Sequence, residues 1–155
     1  MAEEQKNRGD QLRQRLEKLA HQWSQGKATL KQIVGLTQEE LFSVASQGYL
    51  MFLQGKTQQA QVVFEGLVAV DPKNAYYYRA LGAIYWRINK PQRALKQFTY
   101  AIRVAPHEIS SYINRAEVYV AAQLFSEAKQ DLHEALKRGQ AHERALLNKA
   151  QAMLN

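Results

Sequence analysis

The sequence predicts an all-α protein. Three helix–turn–helix repeats form a short right-handed superhelix, flanked by an N-terminal amphipathic helix and a C-terminal capping helix. Three observations predict it. Only 3 prolines and 8 glycines interrupt the 155 residues, so few positions break a helix. Small and aromatic residues recur every 34 positions without gaps: Gly48, Gly82 and Ala116; Ala60, Ala94 and Ala128; Phe64, Phe98 and Leu132; Pro72, Pro106 and Gln140. One helical hairpin cannot bury its apolar face alone, so about three stacked copies and caps are required, and the chain holds that many.

This is the tetratricopeptide pattern. Residues 1–36 read as an amphipathic helix and connector, 37–140 as the repeats (about 41–74, 75–108 and 109–142), and 141–155 as the cap. In the N-terminal segment Leu12, Leu16, Leu19, Ala20 and Trp23 fall at helical spacing, predicting a helix over about 10–24. That stripe either caps the first repeat or pairs with another chain; a membrane-surface role is the weaker alternative, because Arg13, Arg15 and Lys18 sit beside Glu17 on the polar face. A capping box, Thr37-x-x-Glu40, opens the first repeat, whose helices are expected at about 38–54 and 57–70 with a break at Gly55. The second repeat is the fullest copy, with Tyr78, Leu81, Gly82, Tyr85, Ala94, Phe98, Ala101 and Pro106 on pattern. Its helices are expected at about 74–89 and 91–105, with Pro91 suited to a first turn. The third copy covers about 108–123 and 125–138 and departs from the pattern at Arg115 and Gln140. Leu146, Leu147, Ala150, Met153 and Leu154 then make one apolar stripe.

Composition narrows the function. There is no cysteine, which excludes a disulfide framework, a thiolate metal site and a cysteine nucleophile. The polar start Met1-Ala2-Glu3-Glu4-Gln5-Lys6 is no signal peptide, and no apolar run nears the roughly 20 residues of a bilayer span, so a cytoplasmic location is expected. The four histidines show no metal-ligand spacing and no phosphate-cradling glycine loop exists, so neither catalysis, cofactor nor metal is expected. The net charge of +7 is uneven. Residues 75–108 hold six cations (Arg79, Arg87, Lys90, Arg93, Lys96 and Arg103) against Glu108 alone. The last four map to the second helix of their repeat, the convex side. No aromatic residue is expected between them, which argues against nucleic acid.

Tetratricopeptide arrays hold extended peptides on the concave surface lined by the first helix of each repeat. The repeat register assigns Phe42, Ala45, Tyr49 and Phe52 to that groove from the first copy. Tyr76, Arg79, Ala83, Trp86 and Arg87 come from the second, and Ile113, Asn114, Glu117 and Val120 from the third. With Tyr78, Leu81 and Tyr85 filling the core, Phe52 and Trp86 are expected to be free for a ligand. Arg79 and Arg87 could meet acidic groups on it. The carboxylate clamp of the heat-shock-chaperone adaptors is missing: its positions carry Ala45, Tyr49, Ala80, Ser110 and Asn114, of which only the asparagine fits.

From residue 30 to 154 the chain resembles the tetratricopeptide chaperones of type III secretion translocator proteins, the class II secretion chaperones. The likeness lies in Leu30-Lys31-Gln32-Ile33, Gly35-Leu36-Thr37-x-x-Glu40-Leu41, Tyr49, Gln54-Gly55-Lys56, Ala60, Val63-Phe64, Leu67 and Leu81-Gly82-Ala83-Ile84, and in the overall size. The chain differs from that commonly acidic family in its positive charge. The resemblance implies a cytoplasmic, nucleotide-independent chaperone that holds an extended segment of a secreted, membrane-active translocator through spaced apolar anchors. It also implies dimerisation through the N-terminal region, and hence through Leu12, Leu16, Leu19 and Trp23. The alternative is a scaffold that assembles folded proteins in pilus or envelope biogenesis.

Overall fold

The computed structural model describes residues 29–155 together with Gln11, Gln14, Lys18, Gln22 and Gln25. The leucine–tryptophan stripe of the N-terminal segment, Leu12, Leu16, Leu19 and Trp23, lies outside the described residues. In chain order the helices are α1 (Leu30–Val34), α2 (Gln38–Leu53), α3 (Thr57–Val70), α4 (Ala75–Arg87), α5 (Pro91–Val104), α6 (Ile109–Ala121), α7 (Phe125–Arg138) and α8 (Arg144–Leu154). Among the described residues there is no strand.

Several helix starts have a local cause. At the start of α2 the Glu40 carboxylate accepts from the Thr37 N–H at 2.8 Å, and the Thr37 hydroxyl accepts from the Glu40 N–H at 3.1 Å, the expected reciprocal cap. Asn74 caps α4 by accepting from the Tyr76 N–H at 3.1 Å. Pro91 occupies the first turn of α5. Two expectations shift. The connector contains the short helix α1, which ends at Gly35 in the left-handed region (φ 73°). Residues Ala141–Glu143 form a 3₁₀ turn before α8 rather than its first turn.

The turn inside each repeat closes with a residue of positive φ: Gly55 (76°), Asn89 (57°) and Gln123 (60°). These positions are 34 apart, so one turn geometry recurs three times, but only the first copy carries glycine. The N–H groups of Lys56, Lys90 and Leu124 reach back five residues to Met51, Tyr85 and Tyr119 at 2.9 Å each, closing the helix end. A left-handed glutamine costs roughly 1–2 kcal/mol, partly offset because glycine is freer when unfolded. Gln123→Gly is therefore expected to raise stability by about 0.5 kcal/mol and Gln123→Val to lower it by more than that, read from urea denaturation.

Within each repeat α2 packs on α3, α4 on α5 and α6 on α7, and the repeats join through α3 with α4 and α5 with α6. The small positions work as spacers. A Cβ on Gly82 would lie 2.6 Å from the Phe98 ring, and one on Gly48 2.7 Å from Val63. Ala60, Ala94 and Ala128 are buried opposite them, and Phe64, Phe98 and Leu132 fill the layers between. Burial of each such side chain contributes about 1.5–3 kcal/mol. Of the adjacent tyrosines Tyr77 is the core residue, whereas Tyr78 is half-buried against Tyr100, with ring centroids 5.6 Å apart.

Repeats are also tied by polar contacts. The Tyr85 hydroxyl donates to Glu65 at 2.6 Å, and this bond leads the causes that hold the Glu65 carboxyl below its ordinary value. A depressed folded-state pKa stabilises above the unfolded value, and that contribution disappears as pH falls through the folded one. Tyr85→Phe is thus expected to be less stable than wild type at pH 7. The difference should close as pH falls below about 4, measured by thermal melts across pH.

Candidate peptide groove

The first helices of the repeats lie side by side, α2 touching α4 and α4 touching α6, and so form one wall. Positions one and two turns apart on each helix face the same way, which is how residues distant in sequence meet here. Two cavities open on this wall. One, of about 160 Å³, is lined by Tyr49, Phe52, Phe64, Tyr76, Arg79, Ala80, Ala83, Ile84 and Asn114. The other, of about 530 Å³, is lined by Gln38, Glu39, Phe42, Ala45, Asn74, Tyr76 and Tyr77. Tyr76 belongs to both and forms the ridge between them.

That ridge is held firmly. The Tyr76 ring meets Phe64 and Tyr77 edge-on, each at 6.0 Å, and the Arg79 guanidinium lies 5.6 Å over its face. Burial pushes the Tyr76 hydroxyl above its ordinary pKa, so it stays protonated and can both donate and accept a hydrogen bond. The residues around it are less restrained. Phe42 is 69% exposed and Tyr49 47% exposed, both on α2. A phenylalanine so exposed beside an open cavity marks surface suited to an apolar ligand.

The register-assigned residues divide into three groups. Tyr49, Phe52, Tyr76, Arg79, Ala83 and Asn114 line the smaller cavity, and Phe42 and Ala45 line the larger. Ala45 is buried and forms floor, not rim. Ile113 is 0% exposed and belongs to the core of the third repeat, so it offers no groove surface. Phe52 and Trp86, expected to be free, are half-buried and packed against the core, and Trp86 lines neither cavity. Arg79 does not await a ligand carboxylate: its guanidinium donates to Glu108, the residue preceding α6. Arg87 lies 5.0 Å over the Phe52 ring, and none of the ion pairs among the described residues includes it. At the far end Glu117 is bound by Lys149 of α8 at 2.6 Å, and Val120 stays partly exposed.

Sequence reasoning missed seven lining residues. Phe64, Ala80 and Ile84 belong to the packed layer under the smaller cavity and were not in the register-assigned set, while Asn74, Tyr77, Gln38 and Glu39 sit at helix starts, where the chain enters the wall and the helical register no longer predicts direction. Among the described residues no group of three or more His, Cys, Asp or Glu side chains is placed to hold a metal ion, and His107, His133 and His142 are exposed. No helix among them is long and apolar enough to cross a membrane.

A tetratricopeptide-repeat family profile matches residues 50–109. No characterised protein sequence gives a significant match. Among solved structures, the type III secretion translocator chaperone SycD of Yersinia enterocolitica superposes with a TM-score of 0.79 at 19% identity, covering 82% of this chain and 96% of that one. PcrH from Pseudomonas aeruginosa superposes with a TM-score of 0.73 at 25% identity, covering 77% and 92%. The chain has the tetratricopeptide fold of the type III secretion translocator chaperones. A chain of a type III secretion complex from Aeromonas hydrophila superposes with a TM-score of 0.82 at 20% identity, covering 87% of this chain and 91% of that one. PcrH has been solved with the chaperone-binding regions of PopB and PopD, and SycD with a peptide of the translocator YopD.

Proposed function

We propose that this protein is a cytoplasmic chaperone, not a catalyst, that holds an extended, apolar-anchored segment of a secreted, membrane-active translocator in its groove before type III export. The observation that carries this is the pair of adjoining cavities on either side of Tyr76, rimmed by the exposed rings of Phe42 and Tyr49. Two apolar anchors a few residues apart on an extended strand would enter one cavity each, with Tyr76 between them. Arg87 and Asn114 supply polar contacts for the strand's backbone. The similar chaperones solved with translocator segments support the reading.

The physical role follows from the client. Apolar segments built to enter membranes aggregate or insert early in water, and a groove that covers them prevents both. Ordering an extended segment opposes binding, so a few buried anchors must dominate the affinity. Homodimerisation through Leu12, Leu16, Leu19 and Trp23 belongs to the same proposal. Phe42→Ala/Tyr49→Ala leaves the core untouched and is expected to weaken client binding by at least about 30-fold, as hot-spot truncations do. The test is affinity capture from the host lysate, wild type beside this variant, with bound proteins identified by mass spectrometry. Retention of a secreted, membrane-active protein by wild type alone supports the chaperone. Equal retention of folded proteins by both would assign the protein to scaffolding on another face.

A further inference from the structure

The six cations of the central repeat are not spread evenly. Arg93, Lys96 and Arg103, with Tyr100 between them, recur at intervals of three, four and three along α5. That spacing makes one exposed stripe roughly 15 Å long. None of these residues lines either groove cavity. Contrary to the sequence expectation, aromatic rings do interleave with the charges. Arg93 lies 5.6 Å over Tyr85, while Lys96 and Arg103 lie 6.0 and 5.7 Å from the centre of the Tyr100 ring. That ring leans in turn on Tyr78.

The repeat architecture does not require this stripe. The same register positions carry Gln59, Val62, Gly66 and Ala69 on α3, and Glu127, Gln130, Glu134 and Lys137 on α7. Nor do the described residues neutralise these cations. Among the described residues none of the three takes part in an ion pair, and Glu65, whose charge Arg93 feels, is already hydrogen-bonded to Tyr85 and Gln61. The aromatic supports hold the charges in place before any partner arrives, which lowers the ordering cost of binding.

We propose that the α5 stripe docks an acidic amphipathic helix of a partner protein, independently of the groove. Glutamates or aspartates spaced three and four apart would face Arg93, Lys96 and Arg103, as complementary charges do between paired helices. The exposed small strip Val62, Gly66 and Ala69 one repeat earlier would accept the helix's apolar side. Nucleic acid fits less well, because the Tyr85 and Tyr100 rings are covered by cations and leave no open platform for a base. An anionic bilayer fits less well too, since the stripe carries no protruding aromatic or leucine to insert.

The probe is a fluorescein-labelled 18-residue helical peptide of glutamate and leucine with its glutamates at the three-four-three spacing, titrated by fluorescence anisotropy against the full chain. Arg93→Glu/Lys96→Glu/Arg103→Glu is expected to weaken binding at least 20-fold, and the milder Arg93→Gln/Lys96→Gln/Arg103→Gln by an intermediate factor, with circular dichroism confirming the fold. The control Lys56→Glu/Lys129→Glu/Lys137→Glu, with the same change in net charge, should lose less than threefold. Phe42→Ala/Tyr49→Ala should lose nothing. The proposal is overturned if wild type does not bind the peptide, or if the charge control loses as much as the stripe variant. It is equally overturned if the groove variant loses the peptide, or if a 20-mer oligothymidine binds the stripe more tightly than the peptide does.

Discussion

Gly82→Trp is expected to abolish the cooperative unfolding transition altogether. Gly82 sits where α4 crosses α5, and even a single added carbon there would stand 2.6, 2.8 and 3.0 Å from three atoms of the Phe98 ring. Phe98 cannot retreat. It is buried, as are Ala94 and Ala101 on the same helix, and protein interiors lack the free volume to absorb a displaced ring. One extra methylene in a packed core costs about 1–3 kcal/mol, and an indole adds several times that volume, against a total stability of about 5–15 kcal/mol for a domain. The loss spreads because each repeat leans on its neighbour. Gly66 provides the contrast within one chain. It lies inside α3 with nothing within 4 Å of an added Cβ, so Gly66→Ala should stabilise by about 0.5–1 kcal/mol through helix propensity. Thermal melts followed at 222 nm check both. A Gly82→Trp protein melting within a few degrees of wild type would contradict the packing described.

Asp131→Ala is expected to cost about 3–5 kcal/mol, the next largest effect. In the third repeat Arg115 stands at the register position of Leu81, and its guanidinium grips the Asp131 carboxylate through two bonds of 2.7 Å. A third bond, 2.9 Å to the Thr99 hydroxyl, ties it to the second repeat. Burial opposes the charge on Arg115, but the hydrogen bonds and charge of Asp131 outweigh it and shift the pKa upward. Removing Asp131 strands that charge among Tyr112, Tyr119 and the α6–α7 interface. The melting temperature should fall by about 10 °C, at the 2–4 °C per kcal/mol expected for this size. The sister repeats carry uncharged pairs at these positions, Gln47 with Val63 and Leu81 with Gln97; combining their apolar members, Arg115→Leu/Asp131→Val should recover most of the loss. A loss under about 1 kcal/mol in Asp131→Ala would show that the pair contributes little.

Much of the fold was legible because the repeat turns long-range packing into a local spacing. Once Gly48, Gly82 and Ala116 were aligned, the buried alanines, the inter-layer rings and the helix breaks followed, within a residue or two. The left-handed turns were only partly legible: Gly55 announced the first, whereas Asn89 and Gln123, at the same place in the next two repeats, are residue types that announce nothing. The site was less legible. Register says which way a residue points but not what the next repeat places over it, and for that reason Ile113 and Trp86 were assigned to the groove while packing uses them. The Arg115–Asp131 pair read as drift from the pattern, since its logic lies between two helices and not along either. Tyr100 was overlooked for the same reason. Its importance comes from Tyr78 beneath it and from the flanking cations, an arrangement visible only once α4 and α5 are together.

The central claim is that a client segment lies across the ridge at Tyr76. The most direct test is site-specific photocrosslinking in the host, with p-benzoylphenylalanine in place of Phe42, which is exposed and aromatic at the cavity rim. The account predicts a crosslinked adduct containing a secreted, membrane-active protein, with the crosslink mapped to an extended apolar segment, and loss of that adduct when Tyr49→Ala is added. Adducts solely with folded proteins, unaffected by Tyr49→Ala, would contradict it.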